Sequence, residues 1–398
     1  MMERMNLNDF THRPCPVCSS GLSEQLTHLS FPLFDGTPIA GEMDVLSCRA
    51  CGFIFYDTPS TGTDFDDFYR DHYHVRSYAL RDNHGAESAY LAETVDILRR
   101  GGVDPESYVV DVGCGPGHFL RRLHEAGFRD LMGVELCEDY VREMAQCAIP
   151  ARLGSALSLP LGERLADCLI YKNIFEHFLD FNAVLDEIEA RLAPDGAVFI
   201  EVPDASRYAD FSDYAPLSYF TLEHINHFDP IHLQALFSRR GYELMLSGTR
   251  MLDIAERYPI PIQHALFRRQ GAGGGQEIKD FTLAACVQTW LPSPAYFMSA
   301  ELEALRDSRV PVHVWGLSYR TLSWLGMSAL KDCEIRHFVD ADPRKQALTL
   351  MGRPIRSPDI LQDIGADEAV VIGVGPSSPS MRLMLEAWGF SGNVVVLH

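Results

Sequence analysis

Short apolar runs alternate with amphipathic stretches through the middle of the chain. Ala86 to Arg100 carries apolar residues at helical spacing and stops at Gly101-Gly102. Ser107–Val112 then reads as a strand, Gly117–Ala126 as a helix, Asp130–Glu135 as a strand and Glu138–Cys147 as a helix. The cycle continues with a strand at Ala166–Tyr171, a helix at Asn182–Leu192 and a strand at Gly196–Val202. Asp229-Pro230 is an N-cap followed by proline at the first helical position, so a helix runs to about Arg240, and Tyr242–Ser247 follows as a strand. Such alternation predicts a parallel sheet covered by helices on both faces.

Gly271-Ala-Gly-Gly-Gly275 reads as a linker. Beyond a helix at Pro294–Asp307, a second cycle begins. Its strands are Val310–Trp315, Ile335–Asp340, Glu368–Gly373 and Asn393–Leu397, and its helices are Thr321–Leu330 and Ser380–Trp388. It reads as a smaller Rossmann-like unit. The predicted divisions are residues 1–75, 76–270 and 271–398.

The amino-terminal stretch follows neither period. It holds two tight pairs, Cys15-Pro-Val-Cys18 and Cys48-Arg-Ala-Cys51. Each C-x2-C pair lets two thiolates reach one tetrahedral ion, and four thiolates on Zn²⁺ form a closed structural site. The segment between the pairs is longer than usual, and a β-hairpin with an extended loop would fill it. Cys114, Cys137, Cys147, Cys168, Cys286 and Cys333 are scattered and read as small buried hydrophobes. The aromatic and acidic segment Asp64–His74 reads as a connector.

The 398 residues carry 34 Lys+Arg against 55 Asp+Glu, a formal net charge of -21. That sign repels phosphate backbones and anionic lipid, so neither nucleic acid nor a membrane surface is the expected partner. The cysteine-rich stretch supports this, since its basic residues are chiefly Arg13 and Arg49. No run reaches the ~18 apolar residues of a membrane span, and Met1–Phe10 lacks an apolar signal core. A cytoplasmic monomer or homodimer is the default expectation.

The chemistry concentrates in Val109-Val-Asp-Val-Gly-Cys-Gly-Pro-Gly117. A strand bearing Asp111 runs into Gly113, Gly115 and Gly117, which let a ligand approach the backbone. An acid at the strand end repels a diphosphate and suits a cationic ligand. A second acid, Glu135, ends the next strand, where a carboxylate grips ribose hydroxyls in doubly wound folds. A nicotinamide site, the alternative, places one more residue between its last two glycines.

This pattern resembles the class I S-adenosylmethionine-dependent methyltransferases over about Ala86 to Ser247. The resemblance implies that Asp111, Gly113, Gly115 and Gly117 lie against the methionine part of the cofactor and that Glu135 holds its ribose. It further implies adenine contact at Ser155 in Gly154-Ser155-Ala156 and a cofactor contact at Asn173 in Asn173-Ile-Phe-Glu-His177. With the cysteine module and the Rossmann-like tail, the whole layout resembles sugar C-methyltransferases acting on nucleotide-linked 4-keto-6-deoxy sugars. That family implies a Glu-His pair after the fifth strand, matched by Glu223-His224 with His224 as base, and a histidine after the fourth strand, matched by His177. Thr221 stands where the family has tyrosine. Tyr73 and Tyr78 in the connector are candidate substrate contacts, and Arg320, Arg76 and Arg81 are candidate cations for an anionic substrate group. The expected activity is C-methylation of a nucleotide diphosphate keto sugar, as in natural product biosynthesis. O- or N-methylation of another small metabolite on the same scaffold is the alternative, and a catalytically dead binding protein is a third reading.

Overall fold

In the computed structural model, residues 13–72, 84–146, 149–214, 219–253, 259–271, 278–291, 294–373, 375 and 377–397 are described. Tyr73, Arg76, Tyr78, Arg81, Cys147 and most of the 271–275 glycine run lie outside them.

The amino-terminal module is a small antiparallel sheet. Strands β1 (Ser23–Ser30), β2 (Glu42–Cys48) and β3 (Ile54–Asp57) form a meander. A short helix, α1 (Gly62–Asp67), follows, with a capping box between Thr61 and Asp64, and it widens into a π turn over Phe68–His72.

The central unit follows the predicted alternation. Helix α2 (His84–Arg100) leads into β4 (Tyr108–Val112), α3 (His118–Glu125), β5 (Asp130–Glu135), α4 (Glu138–Ala145) and β6 (Ala151–Leu153). Then come β7 (Ala166–Lys172), α5 (Phe181–Arg191), β8 (Leu192–Pro203), β9 (Asn226–His227), α6 (Pro230–Ser238), β10 (Tyr242–Asp253) and β11 (Pro259–Arg269). The predicted Asp229 cap forms, accepting from His232 N.

The sheet order is β10-β11-β8-β7-β4-β5-β6, parallel from β8 to β6. Here the expectation of a parallel sheet needs correction, because β11 runs antiparallel between β8 and β10. Pro259 and Pro261 hid that strand in the sequence. They sit where β11 pairs with β10 alone, before β8 joins at Ile262↔Pro203, so a missing N–H costs no ladder bond to β8.

After α7 (Thr282–Trp290) and α8 (Ala300–Ser308), the tail forms a second sheet. The helix expected over Pro294–Asp307 is split, because Ser299 caps α8 and leaves Pro294–Phe297 as a separate 3-10 turn. Strands β12 (Val312–Trp315), β13 (Ile335–Val339), β15 (Arg353–Arg356), β16 (Ala369–Ile372) and β17 (Asn393–Val396) are parallel, with β14 (Thr349–Leu350) antiparallel at the edge. Helices α9 (Tyr319–Met327), α10 (Pro343–Gln346) and α11 (Ser378–Ala387) complete it.

The cysteine module is wedged between the other two units. Strand β9 pairs antiparallel with β3, in the register Ile54↔His227 and Phe55↔Asn226. On the other side Phe34 bridges to Leu350, and Asp35 N donates to Thr349 O at 2.9 Å. Helix α7, beyond the predicted division at 271, lies against the turn at 205–214, where Cys286 Sγ is 3.4 Å from Ser206 O. One hydrophobic core runs from Cys15 through Phe55, Phe175 and Phe220 to Leu397.

Arg13 locks the first junction. Its guanidinium donates to Tyr56 O (2.6 Å), Leu179 O (3.0 Å), Ile225 O (3.0 Å) and Asn226 Oδ1 (2.9 Å). Desolvation pulls its pKa down to about 10, with Asp57 opposing. Arg13→Ala removes the donors to Tyr56 O, Leu179 O and Asn226 Oδ1, while Ile225 O keeps Tyr56 N at 2.9 Å, so we expect a destabilisation on the order of 3 kcal/mol. Urea denaturation checks this: the midpoint should fall while the slope is kept.

Candidate active site

The glycine loop is built as its sequence requires. Gly113, Gly115 and Gly117 have φ of +69°, +52° and +76°, left-handed values that favour glycine. The loop closes through Gly113 N to Val134 O (2.8 Å) and Gly117 N to Cys114 O (3.0 Å). A Cβ on Gly117 would sit 1.6 Å from Met144 Sδ, so that glycine is demanded by packing. A Cβ on Gly115 would meet nothing within 4 Å, so its bare backbone faces open space.

Glu135 turns back over this loop. Its Oε2 accepts from Gly115 N at 2.8 Å, and its Oε1 from Leu136 N (2.8 Å) and Cys137 N (3.0 Å). Asp111 lies on β4 beneath, 3% exposed. Burial pushes its carboxyl up to about 7, against the pull of Lys172. The loop and both acids thus converge at one end of the sheet. Ser155 stands beyond Glu135 in an isolated bridge to Ser158.

Alongside lies a charged network that the sequence did not single out. Lys172, at the end of β7, reaches Glu201 Oε1 at 3.0 Å. Arg250 and the Tyr90 hydroxyl also bind Glu201, and Tyr90 is held between Lys172 (4.4 Å) and Arg250 (4.0 Å). Burial works against the Glu201 charge, but Lys172 and Arg250 hold its carboxyl below the usual range. A charged residue closing an apolar strand was the available signal for Lys172.

The segment after β7 joins this loop to the histidines. Asn173 is left-handed at φ +54° and donates its N–H to Glu201 O at 2.7 Å. Ile174 packs on the glycine loop, within 2.8 Å of where a Gly113 Cβ would be. The 3-10 turn Phe175–His177 follows. His177 Nδ1 meets Glu223 O at 2.6 Å and Nε2 meets Asn173 O at 3.2 Å, so both ring nitrogens face backbone carbonyls. Its ring lies 5.1 Å from that of His224 and 5.5 Å from that of Tyr69.

His224 Nδ1 is buried and unpaired, while the ring's other contact is the Tyr219 backbone carbonyl. Burial, reinforced by His177 and His227, holds this imidazole well below its usual pKa and therefore neutral. Burial likewise brings His177 to about 4. Glu223 is buried and holds His177 through its carbonyl.

Glu176, which sequence reasoning passed over, completes the cluster. It is 1% exposed, both carboxyl oxygens lack a hydrogen-bond partner, and burial pushes it up to about 8. Ligand-capable atoms of Glu176, His177 and His224 lie within 4.8 Å of one another. Tyr56 Oη, Asn173 Oδ1, Thr221 Oγ1 and both nitrogens of His227 are also buried without partners. Buried polar atoms are normally paired, so this group of unpaired ones makes the cluster the candidate ligand site. Tyr56 comes from β3, so the cysteine module contributes directly. Arg320 sits in the first turn of α9 beside Tyr296 in the carboxy-terminal unit.

The four cysteines converge as predicted. Cys15 and Cys51 sulfurs are 3.7 Å apart, Cys18 and Cys48 sulfurs 3.5 Å, and all four lie within 4.8 Å. A tetrahedron of Zn–S bonds of about 2.3 Å has edges near 3.8 Å, whereas a disulfide needs about 2 Å, so the donor set fits a zinc module. His232 joins it to the central unit, with Nε2 2.9 Å from Cys51 O and Nδ1 2.8 Å from Asp229 Oδ1. Arg13, one of the few cations near this module, is turned inward rather than presented to a polyanion. No helix among the described residues is long and apolar enough to cross a membrane.

Residues 83–247 match the family profile described as Methyltransferase domain. The chain carries a class I S-adenosylmethionine-dependent methyltransferase domain. Among curated proteins it is similar to the C-methyltransferase NovU of Streptomyces niveus, 26% identical over 254 residues that cover 58% of this chain and 56% of that one. The chain therefore matches only about half the length of that relative. Among solved structures, magnesium protoporphyrin IX methyltransferase from Synechocystis PCC 6803 with bound SAH is 15% identical, with a TM-score of 0.40 over 52% of this chain and 99% of that one. An S-adenosylmethionine-dependent methyltransferase from Mesorhizobium loti is 17% identical, with a TM-score of 0.37 over 46% and 100%.

The open cradle at Gly115, with Glu135 above it, fits S-adenosylmethionine in this methyltransferase domain. The two glycines should separate under mutation. Gly117→Ala should lower the melting temperature sharply through the clash with Met144. Gly115→Ala should cost only about 1 kcal/mol of stability yet weaken S-adenosylmethionine binding at least tenfold. Differential scanning fluorimetry and calorimetry read the two effects.

Proposed function

We propose that this methyltransferase acts on a small carbonyl-bearing molecule, forming a carbon–carbon bond next to the carbonyl, with a nucleotide-linked keto sugar as the substrate class. The carrying observation is the neutral His224 with its buried, unpaired Nδ1, set among other buried polar groups without partners. A C–H next to a carbonyl needs a base in its neutral form, in a site closed to water. The resemblance to a C-methyltransferase and the three-part layout support the same reading.

When bound, S-adenosylmethionine supplies a methyl group on a positively charged sulfur. Gly113, Gly115, Gly117 and Asp111 hold its methionine end, Glu135 its ribose, and Ser155 and Asn173 are further contacts. His224 Nδ1 takes the substrate proton. His177, with both nitrogens directed at backbone carbonyls, holds the Glu223 backbone and hence the His224 ring in place. Glu223 is the next residue along that anchored loop. Tyr73, Tyr78 and Arg320 are also proposed as substrate contacts.

His224→Ala should bind S-adenosylmethionine unchanged and lose about 10²- to 10⁴-fold in methyl transfer. With a panel of nucleotide-linked keto sugars in heavy water, wild type should wash deuterium into the carbon next to the carbonyl, and the variant should not. Methylation of an oxygen or nitrogen without any such exchange would favour the alternative reading instead.

We also propose that Cys15, Cys18, Cys48 and Cys51 hold one structural Zn²⁺. Metal analysis of the purified chain should find one zinc per molecule, and Cys48→Ser should lose it and melt at a lower temperature.

A further inference from the structure

The Glu176 carboxyl lies within 4.8 Å of a ring nitrogen of His224, and the proposed function leaves it without a task. Groups of both signs surround it: His177 on its own turn, His224 and Glu223 on the 219–227 loop, Lys172 on β7, Glu201 on β8 and Tyr208 on the 205–214 turn. Lys172 is the cation among them, and Glu201 binds it at 3.0 Å. Neither Glu176 oxygen has a hydrogen-bond partner. His177 is neutral and donates from one ring nitrogen only, so with Nδ1 donating to Glu223 O at 2.6 Å its Nε2 keeps a lone pair, 3.2 Å from Asn173 O and 4.0 Å from Glu176 Oε1. A cation among Glu176, His177 and His224 is therefore the competing occupant, and metal analysis decides it. What such a carboxyl offers a substrate is a proton.

We propose that Glu176 is a second catalytic residue of this site, the acid that protonates the substrate carbonyl oxygen while His224 removes the neighbouring carbon-bound proton. The inference rests on the carbon-methylation reading above. In the first step the C–H electron pair forms the C=C bond of an enol, its proton going to His224 Nδ1, and the carbonyl π pair takes the proton of the Glu176 O–H. In the second, the enol C=C pair forms the new bond to the sulfonium methyl, whose S–C pair stays on sulfur. The carbonyl re-forms as the hydroxyl proton returns to Glu176, and His224 releases its proton to water. The sum is substrate and sulfonium to methylated substrate, thioether and one proton. Protonating the oxygen matters because an enolate formed in a dry site would otherwise be an unpaired buried charge.

The burial that keeps this proton on Glu176 also leaves a signature in stability. Its folded pKa is raised, so its favourable contribution is complete below the unfolded value near 4.5 and is lost as pH rises towards 8. Glu176→Gln should therefore melt above wild type at pH 8 and level with it at pH 5.

The full-length chain and its Glu176→Gln and Glu176→Asp variants test the proposal. At pH 7 the wild-type minus Glu176→Gln infrared difference should show a protonated carboxyl band that shifts in heavy water. With a nucleotide-linked 4-keto-6-deoxy sugar, Glu176→Gln should slow deuterium exchange by about 100-fold while S-adenosylmethionine binding is kept. Glu176→Asp, which keeps the proton but draws it back, should fall between and serves if the glutamine variant fails to fold. An absent infrared band overturns the proposal without any substrate. Exchange within twofold of wild type in Glu176→Gln overturns it too, and leaves carbon methylation standing. No exchange by wild type overturns both. A second divalent ion per chain, lost in Glu176→Gln but kept in Cys48→Ser, would make Glu176 a ligand and overturn the acid role alone.

Discussion

The site depends on a seam two residue pairs long, where Ile54 and Phe55 of the cysteine module pair with His227 and Asn226 of the methyltransferase unit. Arg13 fixes the seam by binding carbonyls on both sides of it and the Asn226 side-chain oxygen. Asn226 in turn donates to Glu176 O (3.0 Å) and Phe178 O (2.8 Å). One hydrogen-bonded chain therefore runs from the cysteine module to the backbone of the candidate acid. The four thiols stand behind the seam, tied to α6 through His232. The module thereby delivers Tyr56 to the polar cluster, beside His227.

Two buried polar systems lie side by side and obey opposite rules. Around Glu201 each charge is matched: Lys172 and Arg250 bind the carboxylate, and Tyr90 is held between the two cations. Such a network rigidifies what it touches, here the end of β8 and the start of α2. Around Glu176 and His224 several polar atoms have no hydrogen-bond partner among the described residues. Leaving them so costs stability in the empty protein, which is how a site prepared for a ligand differs from a core. The backbone bond from Asn173 N to Glu201 O ties the second system to the first.

Much of this was legible in the chain. The alternation of strands and helices, the strained glycine turn, the acid ending β5 and the two cysteine pairs each follow from local rules of backbone and metal chemistry. His177 and His224 were also visible as residues, and they do converge. Glu176 was not, although it lies within Asn173–His177, because a glutamate beside a histidine in a connecting segment reads as solvated. Lys172, Tyr90, Arg250 and Tyr56 escaped for the same reason, since their significance is who surrounds them. Strand β11 escaped because its prolines forbid it in every setting except the half-paired one it occupies.

The sequence by itself therefore determined the scaffold: the class of fold, the cofactor cradle and the thiol cluster, because each is written over a few adjacent residues. The tertiary structure alone decided which of these side chains are buried together and which polar atoms are left without a partner. A carboxyl holds its proton, and an imidazole stays neutral, only when distant segments remove water and withhold a partner. Burial is a property of residues drawn from β3, the 173–177 turn and the 219–227 loop together, and no local pattern encodes it.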